Sequence, residues 1–233
     1  MLPITLALLA ASAAASAGTA VAVLRARRRP SRAERLRGLA KELGMSFEPL
    51  PALGSIPETQ RFELFTQGED REMRHVLRGE RDGRRVELFD YSFVRGAGGR
   101  SARWRHTVVH VHDPALRLPA FLLRPENVVH RVGERFFQDI DLMDAPEFSR
   151  DFLLQGTDED AVRRAFGPAV RAVLAGEPRA FAEGQGADLF LWRGAGPAEP
   201  EAVPGLLNAA SALADAFGAA QNPGTSIPGR AAG

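Results

Sequence analysis

The sequence predicts an α+β body on a largely antiparallel sheet with C-terminal helices, preceded by one N-terminal transmembrane helix. Three observations carry that reading. Leu2 to Leu24 is an uncharged, mostly apolar run followed at once by Arg25, Arg27, Arg28 and Arg29, and about 20 helical residues span a bilayer core of ~30 Å. Between residues 73 and 123, apolar and polar positions alternate around turn signals, the period-2 pattern of strands. From residue 157 onward, capping motifs and apolar spacing of three to four residues take over. Strands first and helices later is the α+β order.

The apolar run sets the layout. A cleaved secretory signal needs positive charge ahead of its apolar stretch, and no Lys or Arg precedes this one. The charge lies on the far side, with Arg32, Arg35 and Arg37 close behind. Such clusters resist translocation, so the expectation is an uncleaved anchor at residues 2–24 with the body cytoplasmic, at the inner (plasma) membrane. Small residues four apart (Ser12 and Ser16, Ala14 and Gly18) let two such helices approach closely, a geometry for a homodimer through the anchor.

Composition narrows the chemistry. The 233 residues contain 0 Cys, which excludes disulfides, Cys-ligated zinc, iron–sulfur clusters and cysteine nucleophiles. Residues 25–41 hold eight of the 30 basic and one of the 29 acidic residues. The chain from Glu42 onward keeps 22 basic against 28 acidic, a net of −6. The basic collar suits anionic headgroups. A nucleic-acid partner is not expected, because the body shows neither a basic face nor a recognition motif.

The elements follow in order. Residues 25–44 form a basic juxtamembrane segment in which Ser31 and Glu34 make a capping box, Leu36, Leu39, Ala40 and Leu43 mark one helix face, and Gly44 is the stop. The body runs over 45–220. In it, Pro49, Pro51 and Pro57 break regular structure, and Arg61 to Gly68 supplies a strand or a helical turn. Met73–Glu80 and Arg85–Val94 flank Asp82-Gly83, a favoured hairpin turn. Ala102–His112 and Leu118–Leu123 extend the hairpin to a four-strand meander, and Phe136–Met143 and Ser149–Leu154 add short strands. Thr157 with Asp160 reads as a second capping box, and Pro168 starts a further helix ending at Gly176. Ala187–Arg193 is a strand, Val203 to Phe217 a final helix, and 221–233 a tail without periodicity. The echo between residues 88–98 and 189–196 suggests two related halves, near 45–135 and 136–220.

Several blocks together resemble an uncharacterised bacterial family of membrane-anchored proteins. They are LFDYSF at 88–93, TVV at 107–109, LPAFLLRPE at 118–126, DIDL at 139–142, and PEFSRDFLLQG with TDEDAVRRAF over 146–166. The resemblance covers roughly residues 60–195 and implies a similar fold with an anchor-plus-body layout. It implies no activity, so no site residues carry over.

The sharpest chemical pattern is His106, His110 and His112, which alternation places on one face of a strand. Imidazoles two apart on a strand ligate zinc and similar ions, so these three are the candidate metal ligands. The competing reading is a solvent-facing polar edge with Thr107, Val109 and Val111 turned to the core. Asp139, Asp141, Asp144 and Glu147 form an oxygen-rich group without EF-hand spacing, read as solvated carboxylates paired with Arg131 or Arg135. Gly96–Gly99 lacks the Gly-Lys-Ser/Thr of a phosphate loop and reads as a hairpin connection. No Gly-x-Ser-x-Gly nucleophile motif occurs. Asp90, inside an apolar strand, is expected to meet an arginine or a backbone N–H. The expectation is therefore a binding or scaffolding module without a cofactor, working on a membrane-proximal protein. The alternative is a membrane-tethered hydrolase or metal-dependent enzyme built on the histidine strand.

Overall fold

The computed structural model describes residues 30–52, 59, 61–96, 101–126, 138–194 and 196–221. The anchor expected at 2–24, residues 25–29 of the expected collar, most of the glycine loop, Arg131, Arg135 and the residues beyond Gln221 lie outside the described residues. Among the described residues, no helix is long and apolar enough to cross a membrane. Two compact units divide after Arg35. In the first, the Ser31 hydroxyl accepts the Glu34 backbone N–H at 3.2 Å and the Glu34 carboxylate accepts the Ser31 N–H at 2.6 Å, the reciprocal capping box. It opens α1, Arg32–Glu42.

The second unit is built on one antiparallel sheet. Its strands among the described residues are β1 (Ser46–Glu48), β2 (Glu69–Arg81), β3 (Arg84–Arg95), β4 (Ala102–His112), β5 (Leu118–Pro125), β6 (Gln138–Asp139), β7 (Phe152–Gly156), β8 (Ala180–Gly186) and β9 (Asp188–Arg193). They lie in the order β1-β2-β3-β4-β9-β8-β5-β7-β6. The helices α2 (Pro146–Asp151), α3 (Glu159–Ala165), α4 (Pro168–Ala175) and α5 (Val203–Gln221) complete the unit. An α+β fold with a large antiparallel sheet and a C-terminal helix is what the sequence pattern implies.

The β2–β3 hairpin turns at Asp82-Gly83, both at positive φ (52° and 76°), the two-residue geometry that follows strand twist. The meander stops at three strands. β5 does not pair with β4; β9 takes that edge, from Val108 opposite Trp192 to His112 opposite Asp188. β5 instead sits between β7 and β8. The strand portions of the echo, 88–95 and 189–193, thus lie on β3 and β9, the two neighbours of β4.

Other boundaries shift for local reasons. Asp158, not Thr157, caps α3, its carboxylate accepting the Ala161 N–H at 2.9 Å. Residues 146–151 are helical, with Pro146 at the first turn, so the strand expected from Ser149 begins at Phe152. Gln221, assigned to the tail, ends α5. β8 carries two glycines and reads poorly as a strand. A side chain at Gly184 would collide with the Phe121 ring across the β5–β8 pair, and only glycine admits that approach.

The sheet has two unlike cores. On one face, Val86, Leu88, Val109, Val111, Leu189 and Leu191 pack against helix residues that include Leu36, Ala40, Val170, Leu207 and Phe217. Leu36 and Ala40, 0% and 1% exposed, turn the apolar stripe of α1 into this core. On the other face Phe89, Tyr91, Val108, Phe190 and Trp192 meet Phe62, Leu64 and Phe65. This second cover is a short strap, Arg61–Thr66, containing the 3-10 turn Glu63–Phe65.

Candidate functional site

The strap face carries the charged residues that this sheet buries. Alternation along β3 puts Glu87 on the same side as Phe89 and Tyr91, and along β4 it puts His110 beside Val108. Register then sets Glu87 opposite His110, and His112 opposite Asp188. His110 is fully buried and stacks on Phe190, ring centroids 4.3 Å apart and planes 5° apart. Its Nδ1 lies 3.0 Å from Glu87 Oε2 and its Nε2 3.0 Å from Asp188 Oδ1. His112 Nδ1 reaches the same Asp188 Oδ1 at 2.6 Å, and the Arg61 guanidinium donates to Asp188 Oδ2.

The pairing continues outward across the sheet. Arg78 on β2 donates to Glu87 at 3.0 Å and to Glu48 on β1 at 2.6 Å. Glu48, Arg78, Glu87, His110 and Asp188 therefore form a row of alternating sign across five strands. Side-chain exposure falls along it from 48% at Glu48 through 28% at Arg78 to 0% at His110. Burial alone would push the His110 imidazolium toward neutrality, yet Asp188 and Glu87 on either side raise its pKa above the usual histidine value. Burial likewise raises Asp188, and the histidines His110 and His112 overcome it, holding the carboxyl at about 2. Glu87, opposed by burial, is lowered by its bond and charge interaction with His110 and by Arg78.

The strap is fixed from the same face. Glu183 on β8, 4% exposed, accepts the Glu63 N–H at 2.5 Å and the Leu64 N–H at 3.1 Å. These N–H groups open the 3-10 turn and have no partner within it, so a carboxylate there satisfies them and their dipole together.

The histidine face is thus a second core and not a solvent edge, a correction to the polar-strand reading. Two of the three candidate ligands converge. His106 does not; it sits opposite Tyr91 with Phe93 nearby. It lies four residue steps along β4 from His110, roughly 13 Å of extended backbone. A shared face does not bring side chains together unless they are neighbours on it. The group that does converge is His110 Nε2, His112 Nδ1 and an Asp188 carboxylate oxygen, all within 4.8 Å of one another.

The remaining candidates have ordinary partners. Asp90, expected to meet an arginine or a backbone N–H, accepts from the Thr107 hydroxyl at 2.8 Å and lies 2.9 Å from His75 Nδ1. Thr107 in turn accepts the Ala198 N–H at 2.9 Å. Asp144 pairs with Arg171 at 2.8 Å, and Asp139 accepts from Gln155 at 2.7 Å. These acids lie toward the β6–β7 edge, several strands from β4. A shallow groove of about 320 Å³ between α2 and α4, lined by Asp144, Phe148, Phe152, Arg171 and Ala172 among others, contains none of the histidines.

Asp188, Glu87, Arg61 and Glu183 are the residues that sequence reasoning missed. Glu87 had a signal: it occupies the Phe89–Tyr91–Phe93 side of its strand, where a charge needs a partner. Asp188 had none, because its role depends on β9 pairing with β4 across a sequence gap that periodicity does not see.

No family model matches the chain, and neither does any of the curated proteins. A solved structure does share its fold: the crystal structure of the mycobacterial trehalose monomycolate transport factor A, TtfA, superposes with a TM-score of 0.62 at 14% identity, over 81% of this chain and 96% of that one.

Proposed function

We propose that the chain is a single-pass inner-membrane protein whose cytoplasmic α+β body is a binding or scaffolding module for a membrane-proximal protein partner. The observation that carries this reading is the closure of the histidine–carboxylate cluster found among the described residues. His110 is fully buried with both ring nitrogens engaged, and Asp188, 2% exposed, is taken by His110, His112 and Arg61. A hydrolase needs its base and nucleophile within reach of a substrate, whereas here those groups hold strands and strap together. The apolar run Leu2–Leu24 and the arginines after it support anchoring with the body inside.

The fold likeness adds a class of partner by analogy. The neighbour is a trehalose monomycolate transport factor. A body of the same fold on a membrane tether suits an accessory subunit of an envelope-lipid transporter, with no catalytic duty of its own.

The test combines topology with contact. In intact spheroplasts, a C-terminally tagged full-length chain resists added protease and is digested once the membrane is opened. A photo-crosslinker at Met143, which is 85% exposed, then captures an integral membrane protein. Digestion in intact spheroplasts overturns the cytoplasmic placement. Crosslinks confined to soluble proteins overturn the partner class.

A further inference from the structure

The charge row across the sheet is complete without His112. Glu48, Arg78, Glu87, His110 and Asp188 already alternate in sign, and Arg61 holds the second oxygen of Asp188. His112 brings a second imidazole nitrogen to the carboxylate oxygen that His110 already uses. That is one donor more than a buried ion pair requires.

We propose that His110 Nε2, His112 Nδ1 and Asp188 Oδ1 bind a divalent transition-metal ion of the zinc class. Two imidazole nitrogens and one carboxylate oxygen are a donor set that such ions prefer. The outer partners are present as well. Glu87 accepts from His110 Nδ1 at 3.0 Å, which fixes the tautomer and leaves Nε2 as the ligand atom. Arg61 holds Asp188 Oδ2 and leaves Oδ1 for the ion. Register supplies the rest: His110 and His112 are two apart on β4, and Asp188 on β9 is the direct cross-strand partner of His112.

Loading changes little in the chain. The nitrogens stand 3.0 Å and 2.6 Å from Oδ1, while donors around a tetrahedral zinc at 2.0–2.1 Å are roughly 3.3 Å apart. His112, 25% exposed, turns outward to open the site. The ion replaces the protons that His110 Nε2 and His112 Nδ1 direct at Asp188 Oδ1; the first leaves to solvent, and the second leaves likewise or moves to His112 Nε2, so that both ligand nitrogens are free. The fourth position falls to water on the His112 side. The bound ion ties β4 to β9 beside Arg61, the first residue of the strap, and acts as a structural clasp wherever the body resides.

The experiment uses the full-length protein in detergent, purified without a histidine tag, stripped with chelator and titrated with Zn²⁺ and Co²⁺. Expected are one ion per chain, a visible Co²⁺ band of tetrahedral intensity, and a Tm rise of roughly 5–10 °C at a hundredfold excess over Kd. His112→Gln, at a partly exposed strand end, gives up its bond to Asp188 and lowers the metal-free Tm slightly, and from that baseline it loses both the rise and the band. No Tm response and no Co²⁺ band in the wild-type chain overturns the site. A response retained in both His112→Gln and Asp188→Asn overturns it too, since the ion would then sit elsewhere. If Asp188→Asn does not fold, His112→Gln alone decides.

Discussion

The two faces of the sheet are sealed by different means. Among the described residues, the helix face is covered by five helices and is mainly apolar apart from the buried Thr107 and its partner Asp90, with Phe121, Phe166 and Phe217 in mutual contact at ring-centroid distances of 4.9–5.4 Å. The strap face is covered, among the described residues, by one short segment whose aromatic residues are Phe62 and Phe65. There the chain buries Glu63, Glu87, His110, Glu183 and Asp188. A helix satisfies its own backbone and brings a broad apolar stripe, so burial alone holds it. A strap of a few residues brings little area and unpaired N–H groups, so directed bonds from the sheet must complete its attachment. Glu87, His110, Glu183 and Asp188 are matched for that reason: removing one partner leaves the other uncompensated in a dry site.

Substitutions on the two faces should therefore fail differently. The largest loss is expected on the helix face. Phe217→Ala removes a fully buried ring and should lower global stability by about 3–5 kcal/mol, read as an earlier denaturant midpoint with all probes moving together. Loss of strap protection alone, with the global midpoint unchanged, would contradict the picture of that face as the main core. The next effect is local. Glu183→Gln keeps one acceptor for the two strap N–H groups and loses the charge, costing about 1–3 kcal/mol. Hydrogen exchange should quicken at Glu63 and Leu64 while α5 amides keep their rates; equal acceleration at both would show that the strap is not a separate unit.

The smallest effect has the opposite sign. Tyr91 is 2% exposed, and its hydroxyl finds no hydrogen-bond partner among the described residues. Burial pushes its pKa up to about 12, with a small opposing pull from Arg71. Tyr91→Phe should leave stability unchanged or raise it by up to about 1 kcal/mol. A clear loss in thermal unfolding would mean that the hydroxyl is bonded.

Much of the architecture was legible in local pattern. The Asp82-Gly83 hairpin, the limits of β4 and the apolar face of α5 each rest on residues close in sequence. What escaped rests on pairing at a distance. β8 was hidden because Gly184 is dictated by Phe121, a residue on another strand. The meander was overextended because nothing in residues 113–118 announces that β9 will take the β4 edge. The site suffered likewise: the histidines stood out by spacing, but their partner Asp188 is set by that same β4–β9 pairing. His106 was included because alternation reports a face and says nothing of separation along it.

That pairing also bears on how the protein is made. β4 lies in the middle of the sheet, yet its second neighbour is encoded about 80 residues later, Val108 opposite Trp192. At ~5–20 residues per second, synthesis leaves the apolar β4 edge open for roughly 4–16 s before β9 emerges from the ribosome. An unpaired central strand is a template for association with another chain. Truncation before residue 188 should therefore yield aggregates, not a smaller folded domain, and chaperone demand should peak in that interval of translation.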